Sequence, residues 1–98
     1  MFDWDQKKNE FLYKQRSITF EEIVFLVEHD GLLAVENHPN QKKYPGQRIY
    51  VVAIDDYAYL VPFVEKEDRV FLKTIIPSRK ATKKYLKKGE DNETNQTR

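Results

Sequence analysis

Residues 47–76 read QRIYVVAIDDYAYLVPFVEKEDRVFLKTII. Residues 47–54 read as a strand, and Asp55-Asp56 supplies turn chemistry before a second run at 57–64. Pro62 has no N–H to give to a ladder, which predicts an edge, a bulge or a strand end at that residue. A charged hairpin loop at 65–68 then leads into a further long strand at 69–76. Closely spaced strands with short turns pair antiparallel. An earlier run at 32–36 completes four strands, separated from the rest by the polar loop NHPNQKKYPG at 37–46, whose length suits a functional loop.

Upstream of the sheet the period is helical. Asp5 suits a helix N-cap, and Lys8, Phe11, Leu12 and Gln15 fall on one stripe of a first helix over Gln6–Arg16. Phe2 and Trp4 before it suit a short strand or an extended arm with two aromatic anchors. A second helix opens on Thr19-Phe20-Glu21-Glu22, a capping box, with Ile18 and Ile23 as its hydrophobic staple. Phe20, Ile23, Val24 and Val27 form its core stripe, Phe25 and Leu26 widen it so that the helix reads as buried on more than one side, and Gly31 reads as a left-handed stop.

Downstream, residues 75–88 read IIPSRKATKKYLKK, where an apolar strand gives way to a lysine-rich helix. Ala81, Thr82, Tyr85 and Leu86 take one half of that helix and the basic residues take the other, so one half docks on the sheet while the other meets solvent or phosphate. Ser78 caps the helix beside Arg79. The fold class is therefore α+β: two N-terminal helices, a four-stranded antiparallel sheet and a C-terminal basic helix. One domain spans 1–88, and the apolar-free stretch 89–98 reads as a disordered polar tail.

Composition excludes several classes. Seventeen basic against sixteen acidic residues leave a net charge of +1, so any nucleic-acid affinity has to come from the distribution of charge. With no cysteine there is no disulfide, thiolate zinc site or cysteine nucleophile, which fits a reducing compartment. No apolar run reaches the roughly 20 residues of a membrane helix, and the opening MFDWDQKK lacks the apolar segment of a secretory signal. These features predict a cytoplasmic protein without a membrane partner.

The residues that suggest chemistry are basic and aromatic together. Arg48, Tyr50, Lys73 and Arg79 come from two strands and the start of the last helix, and on one sheet face such a set holds phosphate and stacks a base. His38 lies in the polar loop beside Lys42, Lys43 and Tyr44, placed to move a proton. Lys80, Lys83, Lys84 and Lys87 extend the basic surface. There is no Gly-rich phosphate loop and no metal-binding motif, and no cofactor is expected.

The opening FDWD-x-x-K, the later TFEEI and the closing IIPSRKATKKY resemble the BrnT family of bacterial type II toxins, over residues 2–88. The family's Lys-His-Gly turn between its helices is replaced here by Lys14-Gln15-Arg16-Ser17, and the basic residue it often carries five positions before the RKAT arginine is Thr74, with Lys73 adjacent. The resemblance implies a RelE-like fold, an endoribonuclease that inhibits translation and a co-encoded BrnA-type antitoxin, with operator DNA contacted only through the antitoxin complex. Arg79 and Lys80 carry over from RKAT, and Arg48 from the arginine that opens the central strand. The expected reaction is metal-independent cleavage of RNA by its own 2′-hydroxyl, with Arg48, Arg79, Lys73, His38 and Tyr50 as catalytic candidates and Lys80, Lys83, Lys84 and Lys87 as RNA contacts. The alternative is a degenerate homologue acting as a non-catalytic nucleic-acid or protein-binding module.

Overall fold

The structure, a computed structural model, describes residues 1–86, so Lys87 and the predicted tail at 89–98 lie outside the described residues. Its centre is the hairpin of β3 (Arg48–Ile54) and β4 (Tyr57–Lys66). Asp55 and Asp56 both take positive φ, 51° and 63°, the conformation a two-residue turn needs if it is to match strand twist. That turn sets the register Ile54↔Tyr57 through Arg48↔Phe63. β2 (Leu32–Asn37) flanks β3 antiparallel, with a bulge between Leu32 and Ala34. The second turn is tighter than the predicted loop at 65–68: β4 continues through Lys66, and only Glu67 and Asp68 separate it from β5 (Arg69–Leu72).

The sheet departs from the predicted four antiparallel strands in two places. β1 (Phe2–Asp3) joins it as a parallel neighbour of β5, with the Val70 N–H donating to the Met1 carbonyl at 2.8 Å. The predicted strand 69–76 is broken, and its end returns as β6 (Ile76–Pro77), which pairs with β4 at Tyr59 and Leu60. Pro62 explains the break. Its carbonyl accepts from the Lys73 N–H at 2.8 Å, so its nitrogen, which carries no hydrogen, faces the same side. The ladder has no donor there, and residues 73–75 leave it before β6 resumes. Pro62 thus sits in the middle of a central strand, at a defect in one of its two ladders. The result is a mixed six-stranded sheet, in the order β1-β5-β4-β3-β2 with β6 beside β4.

Helices cover both faces. On one face, α1 (Gln6–Arg16) and α2 (Phe20–Glu28) bury Leu12, Phe20 and Ile23 against Val52, Val61, Phe63 and Leu72. Trp4 adds its ring against Phe20, with centroids 5.7 Å apart. Both N-caps form: the Asp5 carboxylate accepts from the Lys7 and Lys8 N–H groups, and the Thr19 hydroxyl accepts from the Glu22 N–H, which is the Thr19 half of the expected capping box. The α1 stripe is rotated from the predicted one. Asn9 and Leu12 are buried and Phe11 is 53% exposed, because the Asn9 amide ties the two helices together. It accepts from the Phe20 N–H and donates to Glu21, both at 2.7 Å.

Two expectations for α2 are also corrected. Phe25 points to solvent and stacks on His29 at 4.0 Å, so α2 is buried on one side only, as suits an outer layer. Gly31 is not a left-handed stop. What it provides is space, since a Cβ there would lie 2.7 Å from Leu26.

The opposite face is covered by α3 (Arg79–Tyr85), which packs Ala81 against Val51 and Ala58 with Leu33, Ala34, Leu60, Tyr85 and Leu86 around them. Ser78 caps it, accepting from the Ala81 N–H at 3.0 Å. Buried Thr82 accepts from the Ala58 N–H at 2.8 Å and donates to the Ser78 carbonyl at 2.7 Å, pinning the helix to β4. The division of this helix into a docking half and a basic half is as its sequence predicts. Among the described residues, no helix is long and apolar enough to cross a membrane.

Candidate functional site

Cross-strand partners share a face of the sheet. Arg48, Tyr50 and Val52 therefore stand on the α1/α2 face opposite Phe63, Val61 and Tyr59. The helices cover the Val52 end, while the Arg48 end is open: Arg48 and Glu65 have side chains 43% and 53% exposed. Arg48 Nη2 lies 2.8 Å from Glu65 Oε1, and its guanidinium sits 5.4 Å from the centroid of the Phe63 ring. Tyr50 stacks on the same ring, with centroids 4.0 Å apart and planes 15° apart, and Phe2 leans on it from β1 at 6.4 Å. A buried phenylalanine is thus the floor for a guanidinium and a phenol, and the guanidinium holds the Glu65 carboxylate.

The electrostatics of the cluster follow from its half-buried setting. Burial raises the Tyr50 phenol above its ordinary pKa, the Glu65 carboxylate raises it further, and Arg48 opposes both. Tyr50 is accordingly a hydrogen-bond donor throughout the neutral range.

The predicted set divides between the two faces. Arg48 and Tyr50 are together, and the loop carrying His38 begins next to them, since Asn37 is the direct partner of Arg48. Arg79, Lys80, Lys83 and Lys84 belong to α3 on the other face, with all four exposed. Lys73 is exposed at the ladder break, one residue past Leu72 and so on the opposite face from Phe63 by strand alternation. Lys87 lies outside the described residues. The single sheet face expected for Arg48, Tyr50, Lys73 and Arg79 is not what the fold builds, because α3 crosses to the face that α1 and α2 leave free.

On that second face a groove of about 360 Å³ runs between α3 and the β2–β3 edge, lined by Glu36, Pro39, Ile49, Lys80, Lys84 and Tyr85 among others. The Tyr85 hydroxyl donates to Glu36, whose carboxylate also holds the Lys84 ammonium at 3.5 Å. Glu36 raises the Tyr85 pKa through that bond first, burial and its charge adding to the effect while Lys84 opposes it. Among the described residues, no three His, Asp or Glu side chains converge as a metal site would require.

Glu65 and Phe63 are the residues that sequence reasoning missed. Glu65 reads as the start of a turn while 65–68 is taken as a loop. As a strand residue two positions after Phe63, it falls on the Arg48 face, and the alternation Val61, Phe63, Glu65 is the signal that would have found it. Compared with protein-family models, with curated proteins and with solved structures, the chain matches none.

Proposed function

We propose that this protein is a RelE-like endoribonuclease toxin of the BrnT type, cleaving RNA without a metal and restrained by a BrnA-type antitoxin that also carries the complex to operator DNA. The observation that supports the reading is the Arg48–Glu65 pair beside Tyr50 on the open end of the sheet. Cleavage by the 2′-hydroxyl needs a base, a cation at the phosphorane and a proton for the leaving oxygen. Glu65 takes the 2′-hydroxyl proton, and the oxygen attacks the adjacent phosphorus. The P–O5′ bond breaks, leaving a 2′,3′-cyclic phosphate on one fragment and a 5′-hydroxyl on the other. Arg48, a planar fork matched to phosphate oxygens, holds the developing charge. The Tyr50 hydroxyl, which stays protonated, supplies the proton for the departing oxygen.

The test is cleavage of single-stranded RNA by the purified protein in EDTA, followed by growth on induction. Arg48→Ala should slow cleavage by about 10²–10³-fold, the loss typical of one donor to a developing oxyanion. Glu65→Gln should cost roughly 10²–10⁴-fold, as expected for a general base. Both variants should relieve growth arrest, and co-expression of the antitoxin should relieve it for the parent protein. Undiminished toxicity in both variants rejects the assignment. The alternative is a non-catalytic binding module, in which the Arg48–Glu65 ion pair stays closed. A module would shift RNA in a gel and leave it intact.

A further inference from the structure

The loop from His38 to Gln47 is held in one shape by its own polar groups. The Gln41 side chain donates to the His38 and Gln47 carbonyls at 2.8 and 3.1 Å and accepts from the Gly46 N–H at 3.0 Å. The Asn40 N–H donates to His38 Nδ1 at 3.0 Å, and Asn40 Oδ1 accepts from the Lys43 N–H at 3.1 Å. The Tyr44 N–H donates to the Asn40 carbonyl, and the Gln47 N–H to the Tyr44 carbonyl. This bracing presents two rings outside both cores, His38 and Tyr44, with centroids 4.4 Å apart and planes tilted by 41°. Tyr44 is 38% exposed, and the Lys43 ammonium lies 5.5 Å from its ring centroid.

Core packing accounts for neither ring. Their surroundings are cationic: residues 37–46 contain Lys42 and Lys43 and no acid. The loop also stands on the rim between the two faces of the sheet. Arg48 begins β3 just past Gln47 on one side, and Pro39 lines the groove that carries Lys80 and Lys84 on the other.

We infer that the His38–Tyr44 pair is a stacking platform for an unpaired nucleobase of single-stranded RNA, seated next to the phosphate that Arg48 contacts. The inference rests on the reading that Arg48 and Glu65 handle RNA. Every base has a π-face, so such a platform tolerates sequence, and a lysine beside the ring adds attraction for the adjoining phosphates. A ring held in place before binding loses little freedom on contact. A strand crossing this rim passes from Arg48 to Lys80 and Lys84 with its base on Tyr44, which gives the divided basic residues one ligand in common.

The experiment uses the full chain and a short single-stranded RNA with 2′-O-methyl riboses, which cannot be cleaved, carrying the fluorescent base 2-aminopurine. Binding should quench the fluorescence. Tyr44→Ala should remove the quenching and weaken binding roughly 5- to 150-fold, the range of one lost base–aromatic stack, while Tyr44→Phe keeps both. Circular dichroism of Tyr44→Ala establishes that the fold is intact. Binding without Tyr44-dependent quenching, or binding lost on Lys43→Ala but unchanged on Tyr44→Ala, would make the loop an electrostatic contact only and overturn the inference. Quenching by a protein that leaves ordinary RNA uncut would uphold the platform and remove the ribonuclease reading, so the two fail separately.

Discussion

Tyr50 reports on the cluster around it. Its phenol is raised by burial, then by Glu65, against the pull of Arg48. An unfolded chain ionises a tyrosine near pH 10, whereas the folded chain holds this proton longer. The unfolded state then binds fewer protons, so the contribution of Tyr50 to stability is present below that pH and is lost as pH rises through it. Denaturant midpoints followed between roughly pH 9 and 11 should fall, and Tyr50→Phe should flatten the fall. An unchanged slope in that variant would place the titration elsewhere. Legibility at this scale was uneven. Tyr50 and Arg48 stand out in the sequence because strand alternation puts both on one face, but Asn9 does not. Its burial follows from a bond to the Phe20 N–H eleven residues away, and a helical stripe drawn through Lys8, Phe11, Leu12 and Gln15 chooses Phe11 in its place.

The junctions between elements are decided by single backbone groups. Thr82 holds α3 to the sheet through the Ala58 N–H, a bond buried between the layers. Thr82→Val keeps the shape and leaves that N–H without an acceptor, which should cost roughly 1–3 kcal/mol in urea unfolding. Thr82→Ser should recover most of the loss. Pro62 acts in the reverse sense, by lacking a donor where β5 would otherwise continue. N-caps, the Asp55-Asp56 turn and the docking half of α3 were legible because each is written in neighbouring residues. The break at 73–75 was not, since the residue that causes it lies on another strand. The Glu65 assignment failed for a related reason: a run of charge reads as a loop, although Glu65 and Lys66 remain in register opposite Val70 and Arg69.

For the whole molecule, the layer order is the decisive feature. With α1 and α2 on one face and α3 on the other, the sheet separates Arg48 from Arg79, and the rim that begins at Asn37 borders both, through the Asn37–Arg48 pairing and through Pro39 in the α3 groove. An α+β class can be read from the succession of elements, but the side to which the last helix crosses cannot, because residues 75–88 dock equally well in either direction by their own pattern. The candidate site was therefore legible as a set of residue types and not as a constellation.

The parallel strand β1 carries a consequence for the order of folding. Asp3 and Arg69 meet across a sequence separation of 66, whereas the β3–β4 hairpin closes over two turn residues. Contacts between distant residues carry the larger loop-closure cost and form late. The hairpin should organise the transition state, and β1 should add afterwards as a latch on the finished sheet. Phe2→Ala should then leave the refolding rate nearly unchanged and speed unfolding, with a φ-value of about 0–0.3, while substitutions at the hairpin turn slow refolding. Stopped-flow kinetics of the two kinds of variant decide it, and a Phe2 φ-value near that of the turn would mean the latch closes early. On this account the first strand governs how long the native state lasts, and the hairpin governs how quickly it is reached.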